Sequence, residues 1–180
     1  MLNSMKPLAL FTQKDVFPER EDLKNITFEE RLTGKAIVFD HENKVALVGN
    51  EVHSFYLLPG GGIEKGESVE DGIVRECLEE IGCRVELMHP IGIVEDYRNR
   101  EKKHCINHCY SARLVGKKGA LRLTEDERKN GLRVIWVSLD EAVKMLEKEV
   151  EQLKNGEVRF YNTGFNILRD HLFLNRAQSR

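Results

Sequence analysis

Hydrophobic and polar positions divide the chain into short strand-like runs and three helical stripes. Lys35-Ala36-Ile37-Val38-Phe39-Asp40 and Lys44-Val45-Ala46-Leu47-Val48 are β-rich, and Asp40-His41-Glu42-Asn43 between them supplies turn chemistry, so the pair predicts a hairpin. Phe55-Tyr56-Leu57-Leu58 predicts a third strand that runs straight into Pro59-Gly60-Gly61-Gly62. Arg84 to Met88 and Gly92 to Arg98 read as strands broken at His89-Pro90. Residues 103–115 read as one long strand ending at Gly116, and Leu132 to Val137 as another. The first helix opens at Ser68, a good N-cap with Asp71 completing a Ser-x-x-Asp box, and closes at Gly82. Its apolar stripe is Val74, Cys77, Leu78 and Ile81. The second opens at Ser138-x-x-Glu141, sets Val143, Leu146, Val150 and Leu153 on one face and ends at Gly156. The third starts near Asn162 or Thr163 and turns Phe165, Leu168 and Leu172 inward. Strands interrupted by one central helix and closed by terminal helices predict an α/β fold, a sheet covered on both faces as an α/β/α sandwich.

Residues 1–31 are mixed and polar, with Phe11, Val16, Phe17 and Phe28 as scattered anchors. They read as an N-terminal arm laid on the domain, or on the partner subunit of a homodimer. The domain proper then spans residues 32–155, and a C-terminal helix within 156–180 packs on it. Lys117 to Asn130 is a polar loop longer than most connections, and such loops are often functional.

Composition excludes several classes of function. A chain of 180 residues, 41% hydrophobic and 32% charged, is ordinary for one globular domain. A net charge of −2 provides no basic field to gather nucleic acid. No apolar run approaches the roughly 18–20 residues that span a bilayer, and Met1 to Leu10 lack the features of a signal peptide. Cys77, Cys83, Cys105 and Cys109 show no small-domain disulfide pattern, which indicates reduced thiols in a cytoplasmic protein.

One feature of the first helix stands out against ordinary solvated faces. Glu76, Glu79 and Glu80 fall on the side opposite the apolar stripe, within an arc of roughly 100° on the helical wheel, with no lysine among them and Arg75 as the single basic residue inside the helix. Like charges at these spacings each cost a helix roughly 0.2–0.5 kcal/mol. Solvated faces interleave both signs, as Lys144, Glu147, Lys148 and Glu151 do later. So one-sided a cluster makes sense if a hard divalent cation neutralises it, and carboxylate oxygens suit Mg²⁺ or Mn²⁺. His104-Cys105 and His108-Cys109 suggest zinc less well, because i and i+4 on a strand lie about 13 Å apart. Trp136 and Tyr97 could stack on a base, but lone aromatics are more often core.

Gly61-x5-Glu67-x7-Arg75-Glu76-Cys77-x-Glu79-Glu80-x-Gly82-Cys83 resembles the signature of the Nudix hydrolases at every fixed position. Cys77 and Cys83 stand where the family carries aliphatic residues, and free cysteine behaves as a small buried hydrophobe. The resemblance implies a Nudix-type α/β/α sandwich with a mixed central sheet. It also implies hydrolysis of a nucleoside diphosphate linked to another moiety, by attack of water on phosphorus.

Carried onto the matching positions, the resemblance makes Glu76, Glu79 and Glu80 ligands of Mg²⁺ or Mn²⁺, with the carbonyl of Gly60 as a further ligand. Glu67 and Arg75 become a scaffold pair, supported by Gly61 and Gly82, because arginine's planar fork suits a two-point carboxylate contact. The general base is a helix glutamate, Glu76 or Glu80, or a carboxylate from the loop before Trp136, where Glu125 and Glu127 stand. Asn99, Arg100 and Glu101 occupy the places where the ADP-ribose and dinucleoside polyphosphate branches carry a proline or a tyrosine. A nucleoside triphosphate, oxidised or not, is then the substrate expected by elimination. ADP-ribose, a nucleotide sugar, or a non-catalytic nucleotide-sensing role on the same fold are the alternatives.

Overall fold

Asp40 makes the predicted hairpin turn, its Oδ1 accepting the amide hydrogens of Glu42 at 2.9 Å and Lys44 at 2.8 Å. Asn43 takes the left-handed conformation there, at φ 58°. The computed structural model describes residues 6–20, 25–50, 55–119, 131–158 and 160–179. Its strands are β1 (Ala9–Phe11), β2 (Glu29–Phe39), β3 (Val45–Asn50), β4 (Phe55–Leu57), β5 (Arg84–Arg98), β6 (Lys103–Val115) and β7 (Leu132–Val137). Its helices are α1 (Gln13–Val16), α2 (Val69–Glu80), α3 (Leu139–Lys154) and α4 (Tyr161–Gln178).

The sheet runs in the order β1-β5-β6-β2-β3-β4, with β7 paired to β3. It is mixed: β1 is parallel to β5 and β2 is parallel to β6, while the other pairs are antiparallel. The α2 face buries Ala36, Val38, Ile73, Cys77, Ile81 and Leu114 in one core. On the opposite face α3 and α4 cover Ile37, Leu47, Leu58 and Val94 with Leu146, Phe173 and Leu174. Helices therefore cover both faces, and the fold is an α/β/α sandwich. Ser138 and Glu141 form the reciprocal cap of α3, and Val143, Leu146, Val150 and Leu153 are buried.

Four details depart from the sequence pattern. Strand β2 begins at Glu29, six residues before Lys35, because parallel pairing with β6 extends down to Glu29↔Lys103. Strand β5 is continuous across His89-Pro90, and register shifts at Leu87/His89 and Pro90/Gly92 absorb the proline that cannot donate to the ladder. In α2 the buried positions are Gly72, Ile73 and Cys77, while Val74 is 36% exposed, so the inward stripe is turned by one residue. Helix α4 starts at Tyr161 and buries Phe165, Ile167, Phe173 and Leu174, with Leu168 and Leu172 only half-buried.

The described part of the arm lies on its own domain. Ala9 pairs with Val94 and Phe11 with Asp96, and Phe17 stacks on Tyr161 with ring centroids 5.4 Å apart.

Candidate active site

The glycine loop occupies an edge of β2 that β3 leaves open. Val45 pairs with Phe39, after which β3 pairs with β4 and β7 and diverges from β2. Residues 59–63 take its place through Ala36 N–H to Pro59 O at 3.0 Å, Gly34 N–H to Gly61 O at 3.0 Å and Ile63 N–H to Leu32 O at 3.1 Å. Only glycine fits at position 60. Its φ is +125°, and a Cβ there would lie 2.1 Å from the Gly34 carbonyl oxygen.

Buried polar side chains hold the chain as it enters this loop. Glu149 accepts the Tyr56 amide hydrogen at 2.7 Å, and Asp170 accepts that of Leu58 at 3.0 Å. Lys35 donates to the carbonyl oxygens of Leu58, at 3.0 Å, and Gly60. Burial pushes the Lys35 ammonium below its ordinary pKa, Arg169 adds to that effect, and Glu80, Asp170 and Glu76 oppose it.

Helix α2 turns its glutamates toward the loop. Ile73 and Cys77 are fully buried, and Glu76 and Glu80 lie half-buried on the same i, i+3, i+4, i+7 face, not opposite the core. Gly72 permits this approach, since a Cβ there would meet Ile63 Cδ1 at 2.5 Å. Glu80 accepts the Gly60 amide hydrogen at 2.7 Å. Gly61 faces Glu76 so closely that a Cβ would come 2.7 Å from its carboxylate.

Arg75 joins loop to helix. Its Nε and Nη2 grip Glu67 at 3.0 and 3.1 Å, and Nη2 also donates to Gly62 O at 3.0 Å. Its Nη1 reaches Glu76 at 2.9 Å and Glu79 at 3.2 Å. The hydrogen bonds from Arg75 hold the Glu67 carboxyl below its usual pKa. Arg75 thus supplies the counter-charge to the acidic arc in this arrangement. Gly82, at φ +64°, turns the chain out of α2.

The donor set matches the chemistry of a hard divalent cation: carboxylate oxygens on successive turns beside a backbone carbonyl. Lys35 takes one lone pair of the Gly60 carbonyl, which has a second. Among the described residues no three acidic, histidine or cysteine side chains converge on one point. Binding by all three glutamates therefore requires their carboxylates to draw closer together than they stand here. The Glu79 side chain, 54% exposed, has room to turn.

Other candidates fall elsewhere. Glu125 and Glu127 lie outside the described residues. Tyr97 stacks on His104 with centroids 4.3 Å apart, and His104 also contacts Glu95. Trp136 packs half-buried on the α2-side core beneath Lys118. The four cysteines are buried and free.

Beside the loop, on the α4 side, opens a polar cavity of about 240 Å³. Arg31 and Lys35 of β2, Arg98 of β5, and Asn162, Asn166 and Arg169 of α4 line it. The sequence pattern did not single these residues out. Their only signal was a charged residue inside each apolar element, at Lys35 and at Arg169-Asp170.

The fold agrees with the comparisons. Residues 30–157 match the family model described as NUDIX domain. An ADP-ribose pyrophosphatase of Methanocaldococcus jannaschii is 28% identical over 94 residues, 51% of this chain and 54% of that protein. The chain thus spans about half the length of that relative. The mouse (Mus musculus) diphosphoinositol polyphosphate phosphohydrolase 3-alpha is 28% identical over 121 residues, 67% of this chain and 70% of that protein. Among solved structures, a MutT protein from Methanosarcina mazei Go1 superimposes with a TM-score of 0.56 at 17% identity, covering 87% of this chain and all (100%) of that one. With the glycine loop, the Arg75 clamp and the glutamate helix all inside the matched span, the chain belongs to the Nudix hydrolase family.

Proposed function

We propose that the protein hydrolyses a phosphoric anhydride, cleaving a nucleoside diphosphate linked to another moiety with the help of Mg²⁺ or Mn²⁺. The observation that carries this reading is the placement of Glu76 and Glu80 against Gly60 and Gly61, where loop backbone and carboxylates meet at the mouth of a cationic cavity. Glu76, Glu79, Glu80 and the Gly60 carbonyl would hold the metal. When bound, such a cation offsets the repulsion between phosphate and carboxylates, polarises phosphoryl oxygens and lowers the pKa of water.

The protein's own groups then divide the remaining work. Gly60 to Gly62 carry no side chains, so phosphate oxygens can approach the loop backbone. Arg75 keeps loop and helix in register, and Lys35 places positive charge behind the loop. Glu76 or Glu80 accepts the proton of the attacking water, unless a glutamate of the 117–130 loop does so.

The nucleoside triphosphate expected from the sequence belongs to this substrate class, as do ADP-ribose and nucleotide sugars. Intact carboxylates at Glu76, Glu79 and Glu80 favour turnover over sensing, because a pure binder has no need of their repulsion. Four buried, free cysteines suit a reducing compartment, the cytoplasm. A screen of nucleotides and nucleotide sugars for phosphate or nucleotide release, with and without Mg²⁺, tests the reading. Absence of metal-dependent hydrolysis across the panel overturns it.

A further inference from the structure

The cavity beside the glycine loop holds two buried polar atoms that the described residues leave unmatched. Arg169 is 2% exposed, and its Nε and Nη1 are committed to Asp170 at 2.7 Å, Asn107 at 3.2 Å and Asn166 at 3.0 Å. Its Nη2 is buried and has no acceptor. Asn162 donates through Nδ2 to Glu101, but its buried Oδ1 has no donor. An unmatched donor and an unmatched acceptor in one cavity are costly, and a ligand that supplies both partners removes the cost.

The rest of the lining narrows the ligand. Arg98 is 7% exposed and is held from behind by a two-point contact with Asp96, at 2.6 and 3.3 Å, while its Nη2 reaches Asn166 at 3.0 Å. Arg31 is exposed at the rim and makes no hydrogen bond or ion pair with a described residue. Asp96 and Asp170 are fully buried, so they fix the two inner guanidinium groups without standing in the cavity; Glu101, the one carboxylate of the described lining, is engaged by Asn162 Nδ2. Among the described residues no aromatic ring lines the space. A nucleobase would therefore find no face to stack on, whereas an anion finds three guanidinium groups and a hydroxyl finds the Asn162 carbonyl.

Resting on the hydrolase reading above, we propose that this cavity seats a phosphorylated sugar or polyol, the moiety joined to the diphosphate that the glycine loop holds. Three of its determinants, Asn162, Asn166 and Arg169, belong to α4, beyond the matched span of residues 30–157. Selectivity would then come from a helix outside the family's shared domain. The choice among substrates moves from the nucleoside triphosphate toward a diphosphate carrying a further phosphate on a hydroxyl-bearing group.

Calorimetry on the metal-free full chain tests this without turnover. Ribose 5-phosphate and inositol 1-phosphate distinguish a sugar from a polyol, with ribose, inorganic phosphate and adenosine as comparators. At least one of the two phosphorylated probes should bind about tenfold or more tighter than every comparator. Arg31→Ala, at an exposed position, should weaken that probe about tenfold with no change in melting temperature, and Asn162→Ala should reduce its advantage over inorganic phosphate. Equal binding of adenosine or inorganic phosphate, or an Arg31→Ala protein that binds like wild type, overturns the proposal. Metal-dependent anhydride hydrolysis is scored separately. Hydrolysis without sugar- or polyol-phosphate binding sinks the cavity assignment alone, and binding without hydrolysis sinks the hydrolase reading alone.

Discussion

Glu80 accepts the amide hydrogen of Gly60 at 2.7 Å, so one carboxylate both pins the glycine loop and stands among the expected metal ligands. Glutamine at position 80 keeps an acceptor for that amide but removes the charge. Glu80→Gln should therefore fold normally, with a metal-free melting temperature equal to or above that of wild type. Its kcat at saturating Mg²⁺ should fall by about 10²-fold or more. Wild-type turnover in this variant would remove Glu80 from the chemistry.

Arg75 makes contacts that lysine cannot reproduce. Its fork grips Glu67 at two points and also reaches Gly62 O, Glu76 and Glu79. Arg75→Lys keeps the charge and loses the fork, and the expected loss of stability is about 1–3 kcal/mol. Chemical denaturation should show that loss alongside a fall in kcat, because loop and carboxylates lose their common anchor. An unchanged midpoint with a large loss of kcat would instead make Arg75 a participant in the reaction.

Adjacent glycines should respond differently to alanine. At position 60 the +125° φ and the 2.1 Å approach to a backbone carbonyl leave a side chain nowhere to go. Gly60→Ala should destabilise the fold by more than about 2 kcal/mol. At position 61 the obstacle is the end of the Glu76 side chain, which can move. Gly61→Ala should leave stability nearly intact and raise the Mg²⁺ concentration for half-maximal activity about 10–100-fold, as displaced metal-site geometry does. Equal effects of the two substitutions on denaturation would contradict this division.

The loop-and-helix part of the site was legible because its determinants are consecutive: Gly60 to Gly82 carry the glycines, the cap, the clamp and the carboxylates within one stretch. The cationic cavity was not, because Arg31, Arg98 and Arg169 are brought together only by the pairing of β2 and β5 on either side of β6 and by α4 crossing that face. The rotation of α2 escaped for a different reason. A hydropathy wheel ranks Val74 above Gly72, but the close approach to Ile63 depends on Gly72 having no side chain. The unbroken β5 depended on bulges around Pro90, which a local rule reads as a strand end.

The identity of the general base rests between helix and loop. If Glu125 or Glu127 orients the attacking water, replacing it with glutamine should lower kcat by roughly 10²–10⁴-fold and leave substrate affinity nearly unchanged. Glu125→Gln and Glu127→Gln variants assayed across pH separate the two cases. If both retain normal kcat and the acidic limb of the profile, the base belongs to α2, and Glu76 is the favoured residue.

Glu149 should set a pH dependence of stability that has nothing to do with the metal site. Its side chain is buried in α3, where Oε1 accepts the Tyr56 amide hydrogen and Oε2 has no partner among the described residues. Burial raises its pKa from 4.5 to about 8; the neighbouring Asp170 charge on α4 adds to the rise and the Tyr56 hydrogen bond partly opposes it. Below pH 4.5 the residue is protonated in folded and unfolded chains alike, so it costs nothing. Between 4.5 and about 8 the folded protein keeps a proton that the unfolded chain has released, and stability falls as pH rises. Above that window the penalty is complete. Glu149→Gln keeps an acceptor for Tyr56 and abolishes the titration, so its stability should match wild type near pH 4.5 and exceed it by about 2–4 kcal/mol at pH 8. Urea denaturation of both proteins across this range measures the difference directly. Parallel stability curves would show that Glu149 is not held protonated in the fold.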